Sequence, residues 1–166
     1  MSDSERTKAL GAWGEKKAIA LLQKAGFSGV RDMNVTVVNH PFGDIFAERG
    51  GSRYMIGVKT RNKYQVSGIL NPTYNVRKRN ANVEIIAQQH NALLAWVAIS
   101  VVPEEHEFSA YFGTIAQIED RGERFSIPMK ADQTRKYECL ADRETDTSLR
   151  REWSNGGYAR AMLSAR

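Results

Sequence analysis

The chain has 166 residues, of which 42% are hydrophobic and 26% charged, a composition that predicts one soluble globular domain with its own core. The net charge of +5 permits a polyanionic partner such as a nucleic acid. A single cysteine, Cys139, excludes an internal disulfide and a cysteine-bound zinc cluster. No apolar run approaches membrane length, so we expect a cytoplasmic protein that does not bind a membrane.

Residues 5–25 are predicted to form the first helix, and Gly26 is predicted to end it. Apolar and small residues recur on one helix face and form a continuous stripe: Leu10, Gly14, Ala18, Leu21, Leu22 and Ala25. Glu15 lies at the rim of this stripe. It can either pair with a neighbouring basic residue on the helix surface or reach over the edge of a sheet.

A strand is predicted at residues 33–39, and a β-hairpin at residues 43–61 with its tight turn at Gly50-Gly51. Because side chains alternate along a strand, Asp44 lies on one face of the first strand. Gly57, Lys59 and Arg61 share one face of the second strand. An acid and a lysine on neighbouring strands that otherwise look buried are unusual in a purely structural sheet.

The remaining elements are predicted more briefly. Residues 62–76 form a polar loop, in which Tyr64 and Tyr74 are candidates for stacking on bases. A basic run leads into a second helix that ends near Asn91, and a buried strand follows, parallel to its neighbour, at residues 93–102. One more strand covers residues 108–118. We predict a single domain over residues 1–166, with a core at about 5–118 and a C-terminal extension at about 119–166.

The hairpin resembles the core of the PD-(D/E)xK nuclease superfamily, and within it the Holliday-junction-resolvase-like and Mrr-like members. Their pattern is an Asp that opens one strand, a Glu-x-Lys on the next strand, and a Glu on a preceding helix. Asp44 matches the first acid, Lys59 the lysine and Glu15 the helical acid. Gly57 departs from the pattern, because the family has Glu or Asp there. The resemblance covers about residues 8–100.

This resemblance implies an α/β, restriction-endonuclease-like fold with a mixed central sheet flanked by helices. It also implies a metal-dependent DNA endonuclease that acts in repair, recombination or restriction, and a homodimer. Asp44 and Glu15 would bind Mg²⁺ or Mn²⁺, and Lys59 would orient the nucleophile and the phosphate. Glu84, on the second helix, is a candidate substitute for the carboxylate missing at Gly57, because some restriction enzymes of the superfamily carry their second acid on a following helix.

Basic residues near these elements are predicted to hold the phosphates of a nucleic acid, and we expect it to be DNA: Arg61, Lys63, Arg77, Lys78 and Arg79. A different interpretation remains open. A salt bridge between Asp44 and Lys59, with no metal, would also satisfy the need to pair buried charges. The chain would then be a catalytically inactive nuclease-fold protein that binds nucleic acid or assembles as a homo-oligomer.

Overall fold

The structure is a computed structural model that describes residues 1–33, 44–78, 81–120 and 124–165. The helices in these ranges are α1 (Asp3–Lys24), α2 (Ala81–Gln89), α3 (Ala131–Thr134) and α4 (Gly157–Ser164). The strands are β1 (Ser28–Asp32), β2 (Ile45–Arg49), β3 (Ser52–Asn62), β4 (Thr73–Lys78), β5 (Leu93–Val102), β6 (Glu107–Thr114), β7 (Glu119–Asp120), β8 (Arg124–Pro128) and β9 (Glu138–Thr145). No helix within the described ranges is long and apolar enough to cross a membrane.

The main sheet has six strands in the order β1-β2-β3-β5-β6-β9. Strands β3 and β5 pair in parallel, and the other neighbours pair antiparallel. A smaller antiparallel sheet has the order β4-β8-β7. One core lies between α1 and the main sheet, and a second lies between the main sheet, the smaller sheet and α2. The predicted mixed central sheet flanked by helices is therefore confirmed.

Helix α1 begins with a capping box, in which Ser2 Oγ accepts from the Glu5 amide and the Glu5 carboxylate accepts from the Ser2 amide. The predicted apolar stripe is buried against the sheet. At Gly14 the helix comes very close to β3, because a Cβ atom built there would overlap Oγ1 of Thr60 and lie 2.8 Å from its Cβ. The absence of a side chain at this position thus sets how near α1 lies to the hairpin.

The predicted hairpin is confirmed as β2 and β3. Gly50 and Gly51 form its turn with φ of +61° and +80°, a conformation that suits glycine. Ile45 pairs with Ile56, and the same register places Asp44 opposite Gly57. The Asp44 amide donates to the Ile56 carbonyl at 2.9 Å. The residue that matches the first acid of the nuclease pattern therefore stands directly across from the glycine that interrupts it.

The structure differs from the sequence predictions at three points between residues 28 and 76. Strand β1 was not predicted, because most of its residues are exposed and only Val30 is large and apolar. The loop predicted at residues 62–76 ends early, since β4 begins at Thr73 and pairs with β8. Tyr74 is only 2% exposed, so the prediction that it stacks on bases is wrong. The strand predicted at 33–39 lies outside the described residues beyond Met33.

The C-terminal residues return to the main body of the molecule. Strand β9 pairs with β6 at the edge of the main sheet, and Leu149 is fully buried in the core under α1. Two contacts join the following loop to α1: Lys17 forms an ion pair with Asp146, and Trp13 Nε1 donates to Ser148 Oγ at 2.9 Å. The loop after β9 therefore holds the helix that carries Glu15.

Asp146 makes this attachment dependent on pH. Burial acts to raise the pKa of its carboxyl, but hydrogen bonds from Lys17 and Ser148 outweigh burial and lower the pKa from 3.8 to about 2. A carboxyl with a lowered pKa stabilises the fold above its unfolded-state pKa, and this stabilisation is lost as the pH falls through the folded-state value. The loop should therefore hold α1 most firmly at neutral pH.

We expect Asp146→Asn to lower the free energy of unfolding near pH 7 by about 1 kcal/mol, after allowance for screening at a partly exposed pair. Urea denaturation of both proteins should show the difference shrinking by about half near pH 3, because unfolded chains are then mostly protonated at this carboxyl. An Asp142→Asn variant, changed at an exposed position on β9, serves as the control. A loss that is equal at both pH values would contradict this role for Asp146.

Candidate active site

A cleft of about 180 Å³ lies where α1 crosses the hairpin. Its walls come from α1, β3, β4 and the residue before β2, and the side chains that matter for chemistry are Glu15, Asp44, Lys59, Thr60 and Arg61. The structure thus brings the three residues predicted to be catalytic to one cleft, although they come from separate parts of the sequence. Glu15 is half-buried and lines this cleft together with residues of β3.

Asp44 is held by both strands of the hairpin. Its amide donates to the Ile56 carbonyl at 2.9 Å, and its carbonyl accepts from the Met33 amide at 2.9 Å. In addition, its Oδ2 accepts from the Val58 amide at 2.8 Å. Because the backbone anchors one carboxylate oxygen, the orientation of the whole group in the cleft is fixed. Such preorganisation is what a metal ligand requires.

Lys59 lies in the middle of β3 and is half-buried. It pairs in register with Ala98 of β5, so its backbone belongs to the centre of the main sheet. Its side chain lines the same cleft as Asp44 and Glu15. A central strand therefore places Lys59 in the same cleft as two carboxylates.

Arg61 is a residue whose role the sequence only partly revealed. Its Nη1 donates to the Thr60 carbonyl at 2.9 Å, and burial lowers the pKa of its guanidinium, while Tyr74 opposes that shift. None of the ion pairs among the described residues includes Arg61. A partly desolvated guanidinium that forms none of these ion pairs is well suited to donate hydrogen bonds to two oxygens of a phosphate.

Gly57, where the nuclease pattern has its second acid, lies beside a buried tryptophan on the neighbouring strand. Gly57 pairs in register with Trp96 of β5, and Trp96 pairs with Gly113 of β6. Trp96 is fully buried, and its Nε1 donates to the Thr114 carbonyl at 3.1 Å. A Cβ atom at Gly113 would overlap the indole and lie 2.7 Å from its Cε2. In register, Trp96 thus lies between two glycines, and its indole packs against Gly113.

The carboxylates that line the cleft determine whether it can hold a divalent cation. Across the described part of the chain, no three His, Cys, Asp or Glu side chains come together. Two carboxylates, Asp44 and Glu15, nevertheless line one cleft. Mg²⁺ in phosphate-transferring sites is commonly bound through one or two carboxylates, with substrate phosphates and waters completing the shell. The oxygen donors that are present therefore fit a hard divalent cation.

The other predicted site residues lie outside the cleft or outside the described residues. Lys63 is half-buried and lies 5.7 Å from the centre of the Tyr64 ring, outside the cleft itself. The side chains of Arg77, Lys78 and Glu84, and all of Arg79, lie outside the described residues. Their predicted roles as phosphate contacts and as a substitute metal ligand remain predictions.

Comparison with known proteins finds a likeness of fold. No family model matches the chain, and no curated protein matches it. A solved structure of a Holliday junction resolvase from Archaeoglobus fulgidus, an archaeal hyperthermophile, matches with a TM-score of 0.52 and 20% sequence identity. The match covers 76% of this chain and 88% of the resolvase. Together with the mixed sheet and its flanking helices, the likeness shows that this chain has the restriction-endonuclease-like fold.

Proposed function

We propose that this protein is a metal-dependent nuclease that hydrolyses phosphodiester bonds in DNA. The observation that carries the proposal is the convergence of Glu15, Asp44, Lys59 and Arg61 on one cleft. Two acids and two cations in a small space match the needs of phosphodiester hydrolysis, which requires a cation site beside groups that hold the phosphate. The structural likeness to a Holliday junction resolvase supports DNA as the substrate.

Each side chain has a distinct part in this proposal. Asp44 and Glu15 would hold Mg²⁺ or Mn²⁺, which supplies an acidified water and neutralises charge that develops on the phosphate oxygens. Lys59 would orient the attacking water and the scissile phosphate from the rigid centre of the sheet. Arg61 would bind a phosphate oxygen pair, because its planar guanidinium matches that geometry. The Val58 amide would keep Asp44 in position throughout.

A second candidate function is favoured by Gly57. The position that carries a metal-binding acid in the nuclease pattern has no side chain, and its neighbour in register is the buried Trp96. A site with one acid fewer could have lost its chemistry and kept the fold for binding nucleic acid or for assembly. The homodimer that the resemblance implies is compatible with both the nuclease and the inactive binding protein. Analytical ultracentrifugation tests it.

Cleavage assays distinguish the two functions. Linear duplex, single-stranded and four-way-junction DNA would be incubated with the wild type in Mg²⁺, in Mn²⁺ and in EDTA. The nuclease proposal expects metal-dependent cleavage that Asp44→Ala and Lys59→Ala each reduce by at least about a hundredfold, whereas the exposed Lys16→Ala keeps full activity. Absence of cleavage, with salt-sensitive DNA binding that Asp44→Ala leaves unchanged, would contradict catalysis and favour the binding protein.

Arg61 gives a separate prediction about affinity. Because one charge-assisted phosphate contact is lost, we expect Arg61→Gln to weaken DNA binding by about tenfold. It should also make the slope of log affinity against log salt less negative by about 1. Fluorescence anisotropy in EDTA at several salt concentrations measures both. Arg151→Gln, changed at an exposed arginine, should bind DNA like the wild type; equal effects of the two variants would contradict a specific role for Arg61.

A further inference from the structure

A second cavity, of about 190 Å³, lies beside the cleft and between the two sheets. Aromatic side chains of β4 and β6 form part of its wall, with the rings of Tyr74 and Tyr111 both lining it. Tyr111 is half-buried, and its ring packs edge-on against Tyr137 at 6.3 Å. The cavity shares no lining residue with the cleft, and the predicted catalytic residues Glu15, Asp44 and Lys59 do not line it.

Polar groups converge on the same space. Asn71, Ser109 and Thr134 contribute an amide and two hydroxyls to the lining, and each of these residues is half-buried. The lining also has charged side chains, among which Glu107 and Arg143 form an ion pair at 2.7 Å. A cavity with an aromatic wall and convergent polar groups is a usual site for a flat organic ligand, and a volume of about 190 Å³ suits one heterocyclic ring system. The chemistry therefore matches a single nucleobase.

The position of the cavity relates it to the cleft. Lys59 and Arg61 lie on one face of β3 at a spacing of about 7 Å, and Lys63 follows directly after the strand ends at Asn62. The first two line the cleft, and Lys63 lines the second cavity. Strand β4 repeats this relation, with Val76 at the cleft and Tyr74 at the cavity. A strand whose phosphate contacts Arg61 would thus place its next phosphate near Lys63 and an adjacent base at the mouth of the cavity.

We propose that this cavity binds an unpaired nucleobase of the DNA strand whose phosphate occupies the cleft. This inference rests on the proposed function and specifies its substrate class. A base can enter only if it is unstacked and unpaired, which costs least in single-stranded, mismatched or branched DNA. The half-buried ring of Tyr111 would contact the base, and the amide and hydroxyls would bind its polar edge. The protein would accordingly prefer DNA with unpaired bases beside the scissile bond.

A bulky side chain introduced at the rim of the cavity should block the entry of a base. Ala131 is exposed and lines the cavity, whereas Ala116 is exposed on a short turn outside it, so Ala131→Trp and Ala116→Trp form a matched pair. Binding of a single-stranded oligonucleotide would be followed by fluorescence anisotropy in EDTA, where no cleavage occurs. A series of oligonucleotides, each with one abasic position, scans the strand for the base that enters the cavity.

We expect one abasic position to weaken binding to the wild type and to Ala116→Trp by about tenfold. Ala131→Trp should bind the intact strand about tenfold more weakly than the wild type does. Removing the base at the same position should not weaken its binding further. Equal binding by Ala131→Trp and Ala116→Trp, or an abasic effect that is the same in both, would overturn the proposal.

A free nucleotide is the other source of the same ligand chemistry, so deoxyadenosine monophosphate is titrated separately and followed by NMR. Binding of the nucleotide that Ala131→Trp abolishes, without any abasic effect on the oligonucleotide, would overturn the assignment to a DNA strand. If the wild type binds no DNA at all, the proposed nuclease function is wrong. The nucleotide titration then tests separately whether the cavity binds a nucleobase, and absence of nucleotide binding would overturn that proposal as well.

Discussion

Gly14→Ala should lower the free energy of unfolding by about 3 kcal/mol, at the upper end of what overpacking commonly costs. The added Cβ would overlap Oγ1 of Thr60 and lie 2.8 Å from its Cβ. Thr60 is 4% exposed and β-branched, so its side chain has little freedom to move away. The better helix propensity of alanine, about 1 kcal/mol over glycine, is smaller than this clash. Urea denaturation measures the net loss.

Gly11 provides the matched control, because it lies one turn earlier on α1 and a Cβ there would meet nothing within 4 Å. Gly11→Ala should therefore leave stability unchanged or raise it by up to about 1 kcal/mol. Thr60→Ala should recover part of the loss in the Gly14→Ala background, since the overlapping hydroxyl is removed. Equal stability of Gly11→Ala and Gly14→Ala would contradict the close approach of α1 to β3, and with it the position of Glu15 over the cleft.

Gly57→Glu should lower the Mg²⁺ concentration needed for half-maximal cleavage by about tenfold or more, because it returns a carboxylate ligand to the site. The register of the hairpin sets this position opposite Asp44, and it lies two residues before Lys59 on the same face of β3. Trp96 is its neighbour in register and is fully buried. The substitution should therefore also reduce stability, through crowding and through the cost of a partly buried charge.

Gly57→Gln separates ligation from packing, because it has nearly the same shape and no charge. Cleavage rates across a Mg²⁺ titration should differ between the two variants, with only Gly57→Glu shifted to lower concentration. Thermal melting of both proteins shows whether each is folded at the assay temperature. The same metal dependence in Gly57→Glu and Gly57→Gln would mean that position 57 does not face the cation.

Much of the sheet could be predicted from local signals. The Gly50-Gly51 pair marks a hairpin turn because both residues adopt positive φ, and the apolar run at Leu93–Val102 predicts a buried central strand that the structure confirms with the same bounds. The fold class followed from these elements together with the nuclease-like pattern. The convergence of Asp44 and Lys59 on one cleft followed as well, since alternation along two paired strands fixes which side chains face each other.

Other features depend on partners that are distant in the sequence. Strand β4 was predicted as a loop because Asn71-Pro72 precedes it, and its pairing with β8, about fifty residues later, stabilises it as a strand. The contact between Gly14 and Thr60 joins a helix to a strand and has no local signature. The same is true of Arg61, whose lack of an ion-pair partner among the described residues becomes visible only when its neighbours are known. The second cavity likewise forms between two sheets and could not be inferred from one segment.

The central claim is that Glu15 and Asp44 bind one divalent cation beside Lys59, and the rate of DNA cleavage across a Mn²⁺ titration tests it most directly. Wild type, Asp44→Asn and Glu15→Gln would be compared with Glu144→Gln, changed at an exposed glutamate on β9. We expect saturable Mn²⁺-dependent cleavage in wild type and Glu144→Gln. We also expect Asp44→Asn to be inactive and Glu15→Gln to need at least about tenfold more Mn²⁺. Cleavage that does not depend on Mn²⁺, or that responds to Glu15→Gln no more than to Glu144→Gln, would contradict a shared cation site.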